Sequence, residues 1–244
     1  VGTNDVAVWE RTWGSIEGQA RPAWQFIFDE IASRVCFEGK EVLEMGCGKG
    51  SLSFFALKAG ANHVTLVDFS ETALGLARQL FRYEDPRRVA YARANLLDVD
   101  LGRRFDIVMS SGVVEHFFGG ELEASIRQHV RHSRDKVVLC VPSDTVFNRR
   151  RSSAPQNIAA YGYWRPVPDR RMKELLQREN VTVLHNRRFR VNYGMNLPGG
   201  RLPAADRVHQ LVFMCLGPLE RWLGGLLLTI GGVAGPRARK KDKQ

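Results

Sequence analysis

Glu44-Met45-Gly46-Cys47-Gly48-Lys49-Gly50 is the stretch whose reading decides the fold. Glu41 to Met45 has the apolar run of a short buried strand, and Ser51 to Ala59 has the spacing of an amphipathic helix, so the three glycines fall on a strand-to-helix turn. Such turns, at the carboxyl ends of strands in open α/β sheets, are where nucleotides bind. Glycine lets the backbone approach a ligand and leaves N–H groups of the following helix to face an anionic group such as a carboxylate. The spacing argues against two familiar alternatives. A dinucleotide fold would place the last glycine of G-x-G-x-x-G at position 51, where this chain has Ser51. A phosphate loop needs Ser or Thr after Gly-Lys, whereas Gly48-Lys49 is followed by Gly50.

The next strand, His63 to Val67, ends in Asp68, 22 residues after Gly46. A carboxylate there can accept both hydroxyls of an unphosphorylated ribose. Glu44-x-Gly46-x-Gly48-x-Gly50 together with Asp68 resembles the cofactor site of class I S-adenosylmethionine-dependent methyltransferases, in particular the UbiG-like small-molecule group. The resemblance is close over residues 40–142 and loose elsewhere. It implies S-adenosylmethionine as cofactor, held by Glu44, Gly46, Cys47, Gly48, Gly50, Asp68 and Phe69.

Two further stretches carry the likeness. In Ala94-Asn95-Leu96-Leu97-Asp98, relatives commonly place an acidic residue against the adenine amino group and apolar side chains on the ring. Here Asn95 takes the acidic position, with Leu96 and Leu97 beside it, and an amide oxygen can still accept from an amino group. The alternative is that Asn95 and Asp98 are turn residues. The second stretch, Phe105 to Phe117, resembles a fourth strand followed by a Glu-His pair. Ser110, Ser111 and Gly112 would then contact the amino-acid part of the cofactor through backbone groups. His116 is the candidate base, on the expectation of a pKa near neutrality; the alternative is a brace for the turn. Glu115 is assigned a structural part.

From Glu41 to Val141 strand and helix patterns alternate, which predicts a doubly wound, mostly parallel sheet. The resemblance implies a Rossmann-like sheet of seven strands with an antiparallel last strand. Residues 5–38 have helical periodicity and form an expected cap, assigned to residues 1–39 ahead of a methyltransferase domain at 40–236. Residues 143–168 and 192–206, rich in Arg, Asn, Ser, Pro and Gly, are expected to be substrate-side loops. Within and around them, Trp9, Trp13, Tyr161, Tyr163 and Trp164 are candidates for the acceptor wall, and Arg149, in Arg149-Arg150-Arg151, for gripping an acceptor phosphate or carboxylate. Core packing is the expectation for Trp24.

Val208 to Ala234 is apolar, but its longest uncharged stretch, Trp222 to Pro236, has 15 residues, whereas a membrane span needs about 20. It is read as a helix, Ala205 to Leu223, and a last strand, Leu226 to Ala234, finishing the sheet beside residues 181–191. The tail, 237–244, is basic and expected to be disordered, with weak attachment to an anionic membrane surface as its functional reading.

The 244 residues suffice for one α/β domain with additions. Residues 1–110 carry 13 Lys/Arg and 15 Asp/Glu, a charge of −2; residues 111–244 carry 23 and 11, a charge of +12. An acidic acceptor, a nucleic acid, an anionic membrane surface or simply a soluble basic surface are all admitted by that half. Cys36, Cys47, Cys140 and Cys215 form no C-x-x-C pair, so no metal site or disulfide framework is expected, and a reducing cytoplasm suits them. Asp5, Glu10 and Glu17 interrupt the first twenty residues, so no signal peptide is expected. The expected function is methyl transfer to a small acceptor by an oxygen, nitrogen or carbon nucleophile. RNA or protein methylation through the basic half, a non-catalytic module that binds S-adenosylmethionine, and a nicotinamide cofactor are the alternatives.

Overall fold

The computed structural model describes residues 6–15, 24–190 and 224–234. Two short helices lead, α1 (Val6–Gly14) and α2 (Gln25–Ala32). Strand and helix then alternate through β1 (Glu41–Met45), α3 (Ser51–Lys58), β2 (His63–Asp68), α4 (Glu71–Leu80), β3 (Val89–Arg93), β4 (Phe105–Ser111), α5 (Gly120–His132) and β5 (Ser133–Pro142). After β5 come α6 (Val146–Ser153), α7 (Pro155–Tyr161), α8 (Asp169–Arg178), β6 (Val181–Phe189) and β7 (Leu226–Val233).

The strands form one seven-stranded sheet in the order β3-β2-β1-β4-β5-β7-β6, with β7 antiparallel to both neighbours. From β1 the chain steps outward to β2 and β3, then returns to the other side of β1 for β4 and β5. That reversal opens a crevice between the carboxyl ends of β1 and β4, at Met45 and Ser111, the place where an open α/β sheet takes its ligand.

Alternation along each strand splits the core into layers. In β1, Val42 packs in a cluster with Ile27, Phe28 and Leu52, while Leu43 and Met45 join Val67, Phe105 and Val108 in another. Each fully buried side chain of this size contributes about 1.5–3 kcal/mol. By the same period of two, Glu44 lies on Val42's face, toward α3.

Three expectations are corrected here. The helical stretch 5–38 is two helices, and Ser33–Lys40 after α2 is turn and loop; residues 16–23 lie outside the described residues. The expected loop 143–168 contains α6 and α7. Their start signals were present: the Thr145 hydroxyl accepts from Asn148 N at 3.2 Å, and Pro155 opens α7 at its first turn. The last strand is antiparallel beside β6, as expected, but it is not the edge of the sheet. It is inserted between β5 and β6, with Leu228 opposite Cys140 on one side and Arg187 on the other. The run Leu226 to Ile230 is buried without alternation, as an interior strand requires, whereas β6 alternates and forms the edge. The predicted helix 205–223, loop 192–206 and tail 237–244 lie outside the described residues. Among those described, no helix is long and apolar enough to cross a membrane.

Candidate active site

The glycine turn is braced from within. Gly46 N and Cys47 N both donate to Val67 O, at 2.8 and 2.9 Å, and Gly50 N donates to Cys47 O at 2.8 Å. Gly48 N donates to Asp68 Oδ2 at 2.8 Å, and Ser53 N, in the first turn of α3, donates to Glu44 Oε2 at 2.9 Å. The turn thus uses for its own shape many of the N–H groups that the sequence assigned to an anionic ligand. Gly48 has φ of 53°, and a Cβ there would lie 2.5 Å from the Trp13 ring, so the position needs glycine for both conformation and space. At Gly50, φ is 77° and a Cβ would strike Leu66 of β2.

Asp68 and Glu44 are 7% and 4% exposed. Asp68 Oδ1 accepts from Ser70 N at 3.0 Å, so the two backbone N–H bonds tie the ends of β1 and β2 together. Burial raises the Asp68 carboxyl, while those N–H bonds pull it down. Burial pushes Glu44 up to about 7, against the opposing hydrogen bonds from Ser53. Glu44 therefore anchors the start of α3 as it borders the crevice.

A cavity of about 450 Å³ opens over this turn. Its wall includes Glu44, Gly46, Cys47, Gly48, Asp68 and Phe69 at one end, and Ser111, Gly112, Glu115 and His116 from the segment after β4. Trp9, Thr12 and Trp13 of α1, then Trp24, Tyr161 and Trp164, close it above. Helix α1 buries no residue of its own, yet it is held at both sides. The Glu10 carboxylate accepts from Glu71 N and Thr72 N, at 2.8 and 3.2 Å, at the amino end of α4, and Thr12 Oγ1 donates to Ala160 O of α7 at 2.5 Å.

His116 is 7% exposed, and its Nδ1 lies 3.1 Å from Tyr163 O. A carbonyl can only accept, so Nδ1 carries the proton and Nε2 the lone pair. The ring meets Trp9 edge-on at 5.0 Å. Burial pushes the imidazole down to about 4, which corrects the expectation of a pKa near neutrality: His116 is neutral at pH 7 and a weak proton acceptor. Glu115 is 3% exposed, and burial pushes it up to about 8. The thiols of Cys47 and Cys140 on the wall are also raised by burial, so they stay protonated.

Several predicted residues stand elsewhere. Asn95 is exposed, outside the cavity wall, and its Oδ1 accepts from Leu97 N at 3.0 Å, the Asx turn that the sequence left open. Leu96 is buried in the core with Leu43 and Val67, and Leu97 packs on the same cluster. Ser110, assigned a backbone contact, is not among the residues of the cavity wall, and its hydroxyl lies 2.9 Å from His129 Nε2. Gly50 lies behind the wall, against Leu66. Arg149 is exposed and doubly bonded to Asp144, at 2.6 and 2.7 Å, and Arg151 takes the wall position instead. Tyr163, 56% exposed, offers its carbonyl to His116 but lines a neighbouring hollow with Phe118 and Arg165. Trp24 is 50% exposed at the cavity mouth, not in the core. The sequence reading missed Ile27, Cys140, Pro142 and Leu226 on the wall. Only Val141-Pro142, at the carboxyl end of a strand, carried a signal for its position.

The profile of the methyltransferase domain family matches residues 42–136, which span β1 to the middle of β5. Over that span the sequence matches a methyltransferase domain, and the sheet order is that of class I S-adenosylmethionine-dependent methyltransferases. A ubiquinone biosynthesis O-methyltransferase of Aromatoleum aromaticum is 45% identical over 90 residues, 36% of this chain and 38% of that protein. A probable histone-arginine methyltransferase CARM1 of Oryza sativa subsp. indica is 35% identical over 81 residues, 33% of this chain and 15% of that protein. The chain thus spans well under half the length of these curated relatives. Among solved structures, magnesium protoporphyrin IX methyltransferase of Synechocystis PCC 6803, with bound S-adenosylhomocysteine, superposes with a TM-score of 0.61 over 93% of both chains at 14% identity, which is a likeness of fold. Relatives named for ubiquinone biosynthesis and for histone arginine are both similar to parts of this chain, so the likeness does not fix the acceptor.

Proposed function

We propose that the chain transfers the methyl group of S-adenosylmethionine to a small, largely apolar acceptor and releases S-adenosylhomocysteine. The observation that carries this reading is the single cavity joining the glycine turn and Asp68 to Glu115 and His116 under a roof of aromatic rings. The carboxylate of Asp68 fits the cofactor: it keeps lone pairs for the ribose hydroxyls beyond those given to Gly48 and Ser70. Ser111 and Gly112 would meet the amino-acid part of the cofactor, with Phe69 beside the ribose, and Glu44 acts by anchoring α3. Bound S-adenosylmethionine supplies a methyl already activated by a sulfonium, so the protein's task is alignment and exclusion of water. Trp9, Trp13, Tyr161 and Trp164 perform that exclusion, with neutral His116 on the same wall, its Nδ1 on Tyr163 O.

The likeness to an O-methyltransferase favours a hydroxyl acceptor, and Arg151 on the wall admits one with an anionic group. Methylation of RNA or protein by the basic half is less favoured. Arg127, Arg149, Arg171, Arg178 and Arg188 of that half are held in ion pairs with Glu179, Asp144, Glu123 and Asp169. Residues 40–236 form the transferase unit in this reading, with α1 and α2 as its cap, and the free thiols of Cys36, Cys47 and Cys140 suit the cytoplasm. Calorimetry with S-adenosylhomocysteine and with NAD tests the donor; binding of NAD alone overturns the reading. Incubation with methyl-labelled cofactor and a fractionated extract then reveals whether label enters small molecules, lipid, RNA or protein.

A further inference from the structure

Three buried carboxyls border the cavity, and they are not equivalent. Glu44 and Asp68 have backbone N–H partners, at 2.9 Å for Glu44 and at 2.8 and 3.0 Å for Asp68. Glu115 Oε2 has no hydrogen-bond partner among the described residues, although the residue is 3% exposed. Among the described residues no cation pairs with it: Arg165 reaches Glu115 through its backbone N–H, bonded to Glu115 O at 3.0 Å, while its guanidinium lies 5.4 Å from the Phe118 ring centre. Burying such an oxygen without a donor is costly, and a ligand that brings one recovers the loss.

Position says which ligand. Glu115 lines the same cavity as Cys140 of β5, and the N–H bond from Arg165 joins it to the segment that carries Trp164. The ends of β1 and β2, where Asp68 ties the glycine turn, lie across β4 from β5. The carboxyl faces the turn after β4: a Cβ at Gly112 would lie 3.7 Å from Glu115 Oε1, an ordinary contact.

We propose that Glu115 meets the acceptor's own donor group, a hydroxyl or amine, and receives the proton released on methylation. The proposal rests on the methyl-transfer reading above. The acceptor's oxygen or nitrogen lone pair forms the new bond to the methyl carbon, the carbon–sulfur bond breaks with its electron pair on sulfur, and the acceptor's proton passes to a Glu115 carboxylate oxygen. With its carboxyl pushed up to about 8, Glu115 takes the proton only in its ionised form, a minority at neutral pH, so turnover by this route rises as pH approaches about 8. The residue assigned a structural part by the sequence thus takes the proton-handling role.

The test compares wild type with Glu115→Gln, which keeps size but can no longer take up a proton, using S-adenosylhomocysteine and 4-nitrocatechol as a hydroxyl-bearing probe. Calorimetry gives the affinity for S-adenosylhomocysteine, and quenching of tryptophan fluorescence gives the affinity of the probe for that complex. The expected result is an affinity for S-adenosylhomocysteine within about 2-fold of wild type and probe binding weakened by about 10-fold or more. Equal probe affinity in both proteins, or no probe binding by wild type, overturns the role of Glu115. A loss of S-adenosylhomocysteine affinity in the variant overturns it also, by assigning the carboxyl to the cofactor. Failure of both proteins to bind S-adenosylhomocysteine removes the donor reading, and this one with it.

Discussion

The two ends of the cavity are built by different means. At the glycine turn, backbone groups of β1, β2 and α3 close on one another through Val67 O, Asp68 and Glu44, over distances of 2.8 to 3.0 Å. At the roof, aromatic side chains from α1, from the start of α2 and from the end of α7 meet with few bonds between elements, and α1 contributes no buried residue. The first end is a fixed frame whose shape the sheet dictates; the second is a set of surfaces brought together by packing. A frame fails when one bond is removed, whereas a packed roof loses function by degrees.

The sharpest way to break the frame is Asp68→Ala. It removes the acceptor for Gly48 N and Ser70 N along with the group assigned to the ribose, and S-adenosylhomocysteine affinity is expected to fall by about 100-fold. Calorimetry measures this, and an unchanged affinity would take Asp68 out of the site. A second test separates the carboxyls by pH. The Glu115 carboxyl is raised from 4.5 to about 8, so the folded protein binds a proton that the unfolded chain releases between those values. Its contribution is therefore complete below pH 4.5 and is lost as pH rises toward about 8. Glu115→Gln should gain on wild type by about 3 kcal/mol between pH 6 and pH 9 in urea unfolding. His129, pushed from 6.5 down to about 4 in the core, works with the opposite sign and costs stability as pH falls below 6.5. A gap between the two proteins that does not change with pH would mean that Glu115 ionises normally in the fold.

The roof answers to a gentler change. Trp13→Ala removes a ring packed over Gly48 and stacked 6.5 Å from Trp9, but leaves the sheet and its core untouched. Turnover is expected to fall by about 10-fold as water enters, with an unfolding midpoint close to wild type. A large drop in that midpoint would make α1 part of the folding core instead of a lid over the cavity.

The same contrast explains what the sequence disclosed. The glycine turn was legible because local spacing forces it: positive φ at Gly48 and Gly50 and a carboxylate at a strand end are properties of consecutive residues. The interior place of β7 was half legible. The unbroken run Leu226 to Ile230 reports burial on both faces, but pairing with β5 is a long-range choice that no local pattern encodes. Arg149 and Tyr163 were misplaced for a related reason. Both lie in a stretch taken as loop, and once residues 146–153 wind into a helix, successive arginines point in different directions, so that Arg151 reaches the cavity and Arg149 turns to Asp144. Glu115 was hidden because its significance is an unsatisfied oxygen, which only three-dimensional packing reveals.

The smallest effect is the most instructive about the frame. The family pattern sets Asn95 against the adenine, yet its amide oxygen closes an Asx turn on Leu97 N at 3.0 Å, and the residue is exposed beyond the wall. Asn95→Ala should cost about 0.5–1 kcal/mol of stability, the worth of one exposed turn bond, and change S-adenosylhomocysteine affinity by less than about 2-fold. Asn95→Asp should restore the turn, since a carboxylate accepts from Leu97 N as well as an amide does. If Asn95→Ala instead weakens cofactor binding by about 10-fold while Asn95→Asp preserves it, the loop after β3 must turn toward the adenine on binding. The cofactor end would then be a frame on its β1 and β2 sides alone, completed by the ligand on the third.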